Sequence, residues 1–210
     1  MKKTLRKVNE WKEEILTHKE IIFLSVFLLV LAVVINYNAG KYTSRVGSAI
    51  VNDFVLDNIA PVDLTFIFVY GWMLIVAALF AYPLFFKVHK IHEVISHFSL
   101  LIIVRSFFIT LTHLKTPLDA IGVSFPGALS LLAFQNDLFF SGHTAVPFLG
   151  FLLFKGEKIR MFFLLGSIIL AVTVLLMHQH YAIDVLSAYF ITFGTYKMGK
   201  ILFASMEKKR

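Results

Sequence analysis

Apolar residues gather in six blocks along the chain, at about residues 21–38, 64–86, 94–114, 138–154, 161–178 and 182–203. Most approach the ~20 residues that a helix needs to cross a hydrocarbon core, and the fourth is slightly short. Turn-forming or charged stretches separate them: Asn36, Asn38 and Gly40 close the first, and Lys155-Gly156-Glu157-Lys158 closes the fourth. The fifth and sixth are almost continuous. Residues 1–20 are polar, with Trp11, Ile15 and Leu16 spaced along one side of a helix, which reads as an interfacial amphipathic segment or a solvated arm. Within 44–60, Val51, Phe54, Val55, Leu56 and Ile59 predict a short helix lying on the surface. Residues 115–137, with Pro117, Gly122, Pro126 and Gly127, predict a loop.

Composition sharpens this pattern. Hydrophobic residues make up 58% of the 210, and the mean hydropathy is +0.79. Soluble domains sit nearer ~45–50% apolar, so an integral membrane protein is expected. The expected fold is an all-α polytopic membrane helical bundle of about six transmembrane helices. Its parts are an N-terminal segment over 1–20, a membrane domain over 21–203 and a basic tail over 204–210. The first block follows charged residues and lacks a small-residue cleavage site, so it reads as a retained helix. With no cysteine, disulfides and thiolate metal sites are excluded.

The net charge of +7 would suit a nucleic-acid partner if it lay along one face, but the charges fall between apolar blocks. Of the 20 Lys and Arg, only Lys41, Arg45 and Lys115 lie in the loops on one side, and Arg105 lies inside a block. By the positive-inside rule both termini are cytoplasmic, and the loops before the fourth and sixth helices face the other way. The lipid bilayer and its lipids are the expected partners, and nucleic acid is not.

Two stretches then carry the chemistry, and both lie at the non-cytoplasmic end: Ser141-Gly142-His143-Thr144, and His178-Gln179-His180-Tyr181-Ala182-Ile183-Asp184. His180 and Asp184 are four apart, so on a helix beginning near them they share a face. The carboxylate then orients the imidazole and raises its basicity, as a nucleophile or general base requires. His143, about one turn past Asp137, can supply a proton to a leaving group. Ser141, Gly142 and Thr144 place hydroxyls and backbone donors near a helix N-terminus, and Arg105 brings a permanent charge; both suit phosphate. Together these residue types make a phosphoryl-transfer site.

Other readings stand beside it. His178, His113 and His97 fit structural roles, and Arg105 fits helix pairing. A metal held by His143, His178, His180 and Asp184 requires a helix break between His178 and His180, which otherwise point to different faces. A non-catalytic lipid-binding or transport protein also uses buried polar groups, although no repeat between halves is evident.

The chain resembles the type 2 phosphatidic acid phosphatase superfamily, and within it the sphingomyelin synthase branch. Asn136-Asp137 and SGHT at 141–144 resemble the second motif of that branch. HQHYAIDVLSAYFIT at 178–192 resembles its third, and Arg105 with the following Thr residues resembles the Arg-plus-Thr stretch of the third helix. The resemblance implies that His180 forms a phosphohistidine, Asp184 orients it and His143 protonates the departing lipid alcohol. An alcohol such as ceramide or diacylglycerol, or water, then resolves the intermediate, with no metal or cofactor. Phosphate contacts are expected from Arg105, Asp137, Ser141, Gly142, Thr144, His178 and Tyr181. The chain departs from the broader superfamily in carrying Val174 where an Arg stands six residues before the third-motif histidine, and in lacking its Lys-rich first motif. These departures leave Arg105, with Lys115 or His178, to hold phosphate.

The topology is testable because the chain has no cysteine. In sealed, right-side-out vesicles a membrane-impermeant thiol reagent should label Leu118→Cys directly, and Lys155→Cys only after permeabilisation. The reverse pattern would invert the bundle.

Overall fold

The structure is a computed structural model that describes residues 2–127 and 134–204, with side chains from Trp11 onward. Residues 205–210 of the expected tail, and 128–133 of the expected loop, lie outside the described residues. The described residues form six α-helices: α1 Lys2–Val46, α2 Trp72–Phe86, α3 Ile91–Leu111, α4 Gly142–Leu153, α5 Arg160–Leu176 and α6 Ala182–Leu202. A π-helical segment, Ile67–Gly71, leads into α2. Among the described residues, three stretches are long and apolar enough to cross a membrane: Trp11–Val46, Ile67–Phe86 and Val88–Leu111. Their length and outward apolar surface are those of a multi-pass membrane protein; Phe23, Phe66, Phe107 and Phe190 are among the exposed side chains.

Helix α1 carries the polar N-terminal segment and the first apolar block as two helical stretches that meet at a kink at His18, where the backbone is non-helical. Before the break, Trp11 donates from Nε1 to the Leu84 carbonyl at 3.1 Å, while Ile15 and Leu16 stay exposed. After it, α1 lies along α3, where the Ser25 and Ser96 hydroxyls meet at 2.8 Å. Two apolar helices gain little from lipid-like surfaces alone, so such polar contacts set their register.

The core lies between α2, α3, α4, α5 and α6, where Leu79, Leu101, Phe140, Leu149 and Phe163 are fully buried. Gly150 lets α5 approach α4, because a Cβ there would sit 2.6 Å from the Phe163 ring. At one end of the bundle ion pairs join the helices. Lys87 meets Glu157 at 2.9 Å and Lys200 meets Glu93 at 2.9 Å. The hydrogen bond from Lys87 is the main reason the Glu157 carboxyl is held below its ordinary pKa.

The opposite end is built from connecting segments. Residues 47–60 do not form the surface helix that their apolar spacing predicts; only a single 3₁₀ turn forms, Leu56–Asn58. Asp53 accounts for the difference. Its Oδ1 accepts from the amides of Val55 and Leu56 at 2.8 and 3.1 Å, and its Oδ2 from the Ala182 amide at 2.6 Å. A carboxylate that satisfies free amides in this way competes with helix continuation. Upstream, Ser48 and Ala49 donate to the His113 carbonyl, and Lys115 donates back to Ala49, an extended pairing that a helix would break.

Helix α4 is also shorter than its apolar block. Its 12 residues begin at Gly142, because Ser141 is extended and the carbonyls of Asp137 and Phe140 serve a side chain of α3.

Gly150→Ala should lower stability by about 1–3 kcal/mol, since Phe163 is fully buried and the added methyl overpacks the α4–α5 crossing. The thermal unfolding midpoint in detergent checks this. An unchanged midpoint would mean that the Phe163 ring has room to move.

Candidate active site

Residues 137–143 lead into α4 and residues 177–184 lead into α6. One backbone bond joins the two stretches: the Ser141 amide donates to the Asp184 carbonyl at 3.1 Å. His180 and Asp184 pair as their spacing predicts, with Nδ1 of His180 3.3 Å from Oδ2 of Asp184. The same Oδ2 accepts from the Tyr181 amide at 3.0 Å, so the carboxylate caps α6 and holds the imidazole with one oxygen. Asp184 is fully buried and His180 nearly so. The pair leaves Nε2 of His180 as the nitrogen available to react. A bond of 3.3 Å is long, as such bonds often are before substrate is bound.

His143 sits in the first turn of α4. Its ring stacks on Phe68 with centroids 4.0 Å apart and lies 5.5 Å from the ring of Trp72. A hydrogen bond to the Phe68 backbone occupies one ring nitrogen, and Nε2 is buried without a hydrogen-bond partner among the described residues. Phe68 belongs to the π-helical segment, whose wider turn brings this face to the histidine; π turns recur at functional sites.

Arg105 is buried on α3 and engages the strand-like approach to α4. Nε donates to the Phe140 carbonyl at 2.8 Å, Nη2 to the Asp137 carbonyl at 3.0 Å, and Nη1 lies 2.8 Å from Oδ1 of Asp137. Asp137 therefore neutralises Arg105. Gly142 packs against the same guanidinium, where a Cβ would stand 3.3 Å from Nε. Ser141 and Thr144 are fully buried. Their hydroxyls lie 3.4 Å apart, and the Thr144 carbonyl accepts from Ser167 at 2.9 Å.

The remaining expected phosphate contacts have polar atoms directed elsewhere. Tyr181 donates its hydroxyl to the Lys115 carbonyl at 2.9 Å. His178 is buried with φ +54°, and its Nδ1 lies 2.8 Å from Oδ2 of Asp119. The contact with His178 is the main cause that holds the exposed Asp119 carboxyl below its ordinary pKa. Residues 178–180 are a turn between α5 and α6, which is the helix break a metal reading requires. Among the described residues, no three His, Asp or Glu side chains gather at metal-binding distances.

The structure thus brings together His143, His180, Asp184, Arg105, Asp137, Ser141, Gly142 and Thr144. It adds residues that the sequence reading passed over. Phe68 and Trp72 flank His143. Asp53 caps α6 across 129 positions, and Asp119 meets His178. Four-residue spacing of two aromatics on one helix face was a weak signal for Phe68 and Trp72, and nothing local marks Asp53.

Residues 136–201 match the family model described as PAP2 superfamily C-terminal. The match begins at Asn136 and takes in both histidine-bearing stretches. No curated protein and no solved structure matches the chain.

Arg105→Ala leaves Asp137 unpaired in a mostly buried setting and should destabilise by about 3–5 kcal/mol. Adding Asp137→Ala should recover part of that loss, a coupling measured by thermal unfolding of the two single variants and the double variant. Additive losses would contradict the pairing.

Proposed function

We propose that the chain is a membrane enzyme that transfers or hydrolyses the phosphate-containing headgroup of a lipid through a phosphohistidine on His180. One observation carries the reading: a buried His180–Asp184 pair is tied through the Ser141 amide to the stretch holding His143. The match of residues 136–201 to a phosphatase superfamily supports it.

In the first step Nε2 of His180 attacks phosphorus, forming an N–P bond as the bond to the lipid oxygen breaks. His143 gives its Nε2 proton to that oxygen, so a neutral alcohol departs. Asp184 stabilises the charge that develops on the His180 ring. In the second step an acceptor hydroxyl attacks phosphorus, His143 takes its proton, and the N–P bond breaks. Neither step draws on a metal or a cofactor.

Arg105 and the start of α4 hold the transferring group. The guanidinium carries five N–H groups. Bonds from Nε, Nη1 and Nη2 to Phe140 and Asp137 use three of them and leave two for phosphate oxygens. Ser141, Gly142 and Thr144 offer hydroxyls and first-turn amides to the same anion. Asp137, His178 and Tyr181 act by holding this geometry.

In this reading the six apolar segments lie across the bilayer with both termini in the cytoplasm and the site at the non-cytoplasmic end, an orientation that the Lys and Arg distribution supports. A lipid then enters laterally and keeps its tails in the membrane. The motif at 178–192 favours a sphingomyelin synthase-like transfer, with an alcohol such as ceramide or diacylglycerol as acceptor, over release to water.

A headgroup-release and transfer assay in lipid micelles tests this reading. It offers phosphatidic acid, phosphatidylcholine or phosphatidylethanolamine, with and without ceramide. Wild type should turn over at least one donor, and His180→Ala and His143→Ala should each lose about 10²- to 10⁴-fold. Ceramide carrying the donor's phosphate headgroup identifies transfer; the free headgroup, inorganic phosphate from phosphatidic acid and phosphocholine or phosphoethanolamine from the other donors, identifies hydrolysis. Equal rates in wild type and both variants, or no turnover of any donor, would overturn the reading and favour binding or transport.

A further inference from the structure

The turn that delivers His180 is held from outside the two helices it joins. Ile121 donates its amide to the Met177 carbonyl at 3.0 Å, and Gln179 donates from Nε2 to the Ile121 carbonyl at 2.6 Å. Between them, Nδ1 of His178 meets Oδ2 of Asp119 at 2.8 Å. Three consecutive residues before the reacting histidine are thus fastened to one short stretch, 119–121. His178 is 1% exposed while the Asp119 carboxylate is 57% exposed, so a surface carboxylate reaches in beside a buried ring, at ion-pairing distance rather than in hydrogen-bond geometry. The backbone at His178 is in the left-handed region, which is unfavourable for a non-glycine residue and persists only where neighbours enforce it. The enforced position lies two residues from His180. A displacement of about 1 Å there separates Nδ1 from Asp184 and misdirects Nε2, which is enough to slow chemistry about 100-fold.

We propose that Asp119 is a positioning residue for His180, acting through His178 to hold the 177–180 turn in its reactive conformation. This rests on the phosphotransfer reading of His180. It also assigns the segment 119–121 a part in the active site, which no spacing in the sequence indicates. Asp119 touches neither lipid nor phosphorus in this assignment. Its effect therefore falls on the rate of the chemical step and not on lipid binding.

The test uses the full chain in detergent micelles. Asp119→Ala should lower kcat about 10- to 100-fold with KM within about twofold of wild type. Asp119→Asn, whose side-chain oxygen can still lie against Nδ1 of His178, should restore most of the rate. The ¹⁵N ring signals of His180 should move in the Ala protein and return in the Asn protein, with no substrate present. Wild-type kcat in Asp119→Ala, or a loss that Asn does not restore, overturns the proposal. Should Asp119→Ala fail to fold, Asp119→Ser is read in the same way, and wild-type kcat there overturns it too. A wild type that turns over no lipid defeats the phosphotransfer reading instead. In that case the His180 ring signal alone decides whether Asp119 positions it, and an unmoved signal in the Ala protein overturns the proposal.

Discussion

A guanidinium among apolar helices is tolerated only when its charge and its N–H groups are met, and Arg105 meets them on one short segment. Its bonds to Asp137 and to the Phe140 carbonyl pull residues 137–140 out of helical geometry and against α3. That placement decides where α4 can begin, and so where His143 stands. The pair does not serve mainly as a source of stability, since desolvating both ions offsets much of their attraction. Its value lies in specifying one arrangement of the chain at the end of the bundle where chemistry is proposed.

From that anchor the site assembles through single contacts, each of which uses a group that would otherwise be unsatisfied. The Ser141 amide precedes the first turn of α4 and finds the Asp184 carbonyl. Asp184 divides its Oδ2 between the Tyr181 amide and the His180 ring, so one carboxylate both starts α6 and orients the histidine. Asp53 takes the next free amide of α6. Buried donors without partners cost about 1–3 kcal/mol each, so helix ends that meet at one level become natural places to collect polar side chains. The proposed reactive atoms, Nε2 of His180 and Nε2 of His143, are among those left over once this bonding is complete.

Much of the helical framework was legible because apolar blocks near the length of a membrane span have few alternatives. The boundaries of α3, α5 and α6, and the end of α2, fall close to the edges of their blocks. The His180–Asp184 contact was legible for the same reason that any i,i+4 pair is: local geometry sets it. Long-range bonding was not legible. Leu138, Phe139 and Phe140 read as the start of a helix, yet Arg105, some 35 positions earlier, takes the backbone oxygen of Phe140. Residues 47–60 carry apolar spacing suited to a helix, and Asp53 diverts them to cap α6. His178 looked like a phosphate ligand because it neighbours His180; its ring turns to Asp119, a loop residue with no pattern of its own.

The central claim is that His180 becomes covalently phosphorylated, and trapping that adduct tests it most directly. Protein mixed with a lipid donor labelled at phosphorus is quenched within one turnover in alkali, which preserves phosphohistidine, and the labelled peptide is sequenced. The account predicts acid-labile, alkali-stable label on the peptide holding His180, absent from His180→Ala and retained by wild type until an acceptor is added. Turnover without any trapped label, or label on another residue, would contradict it.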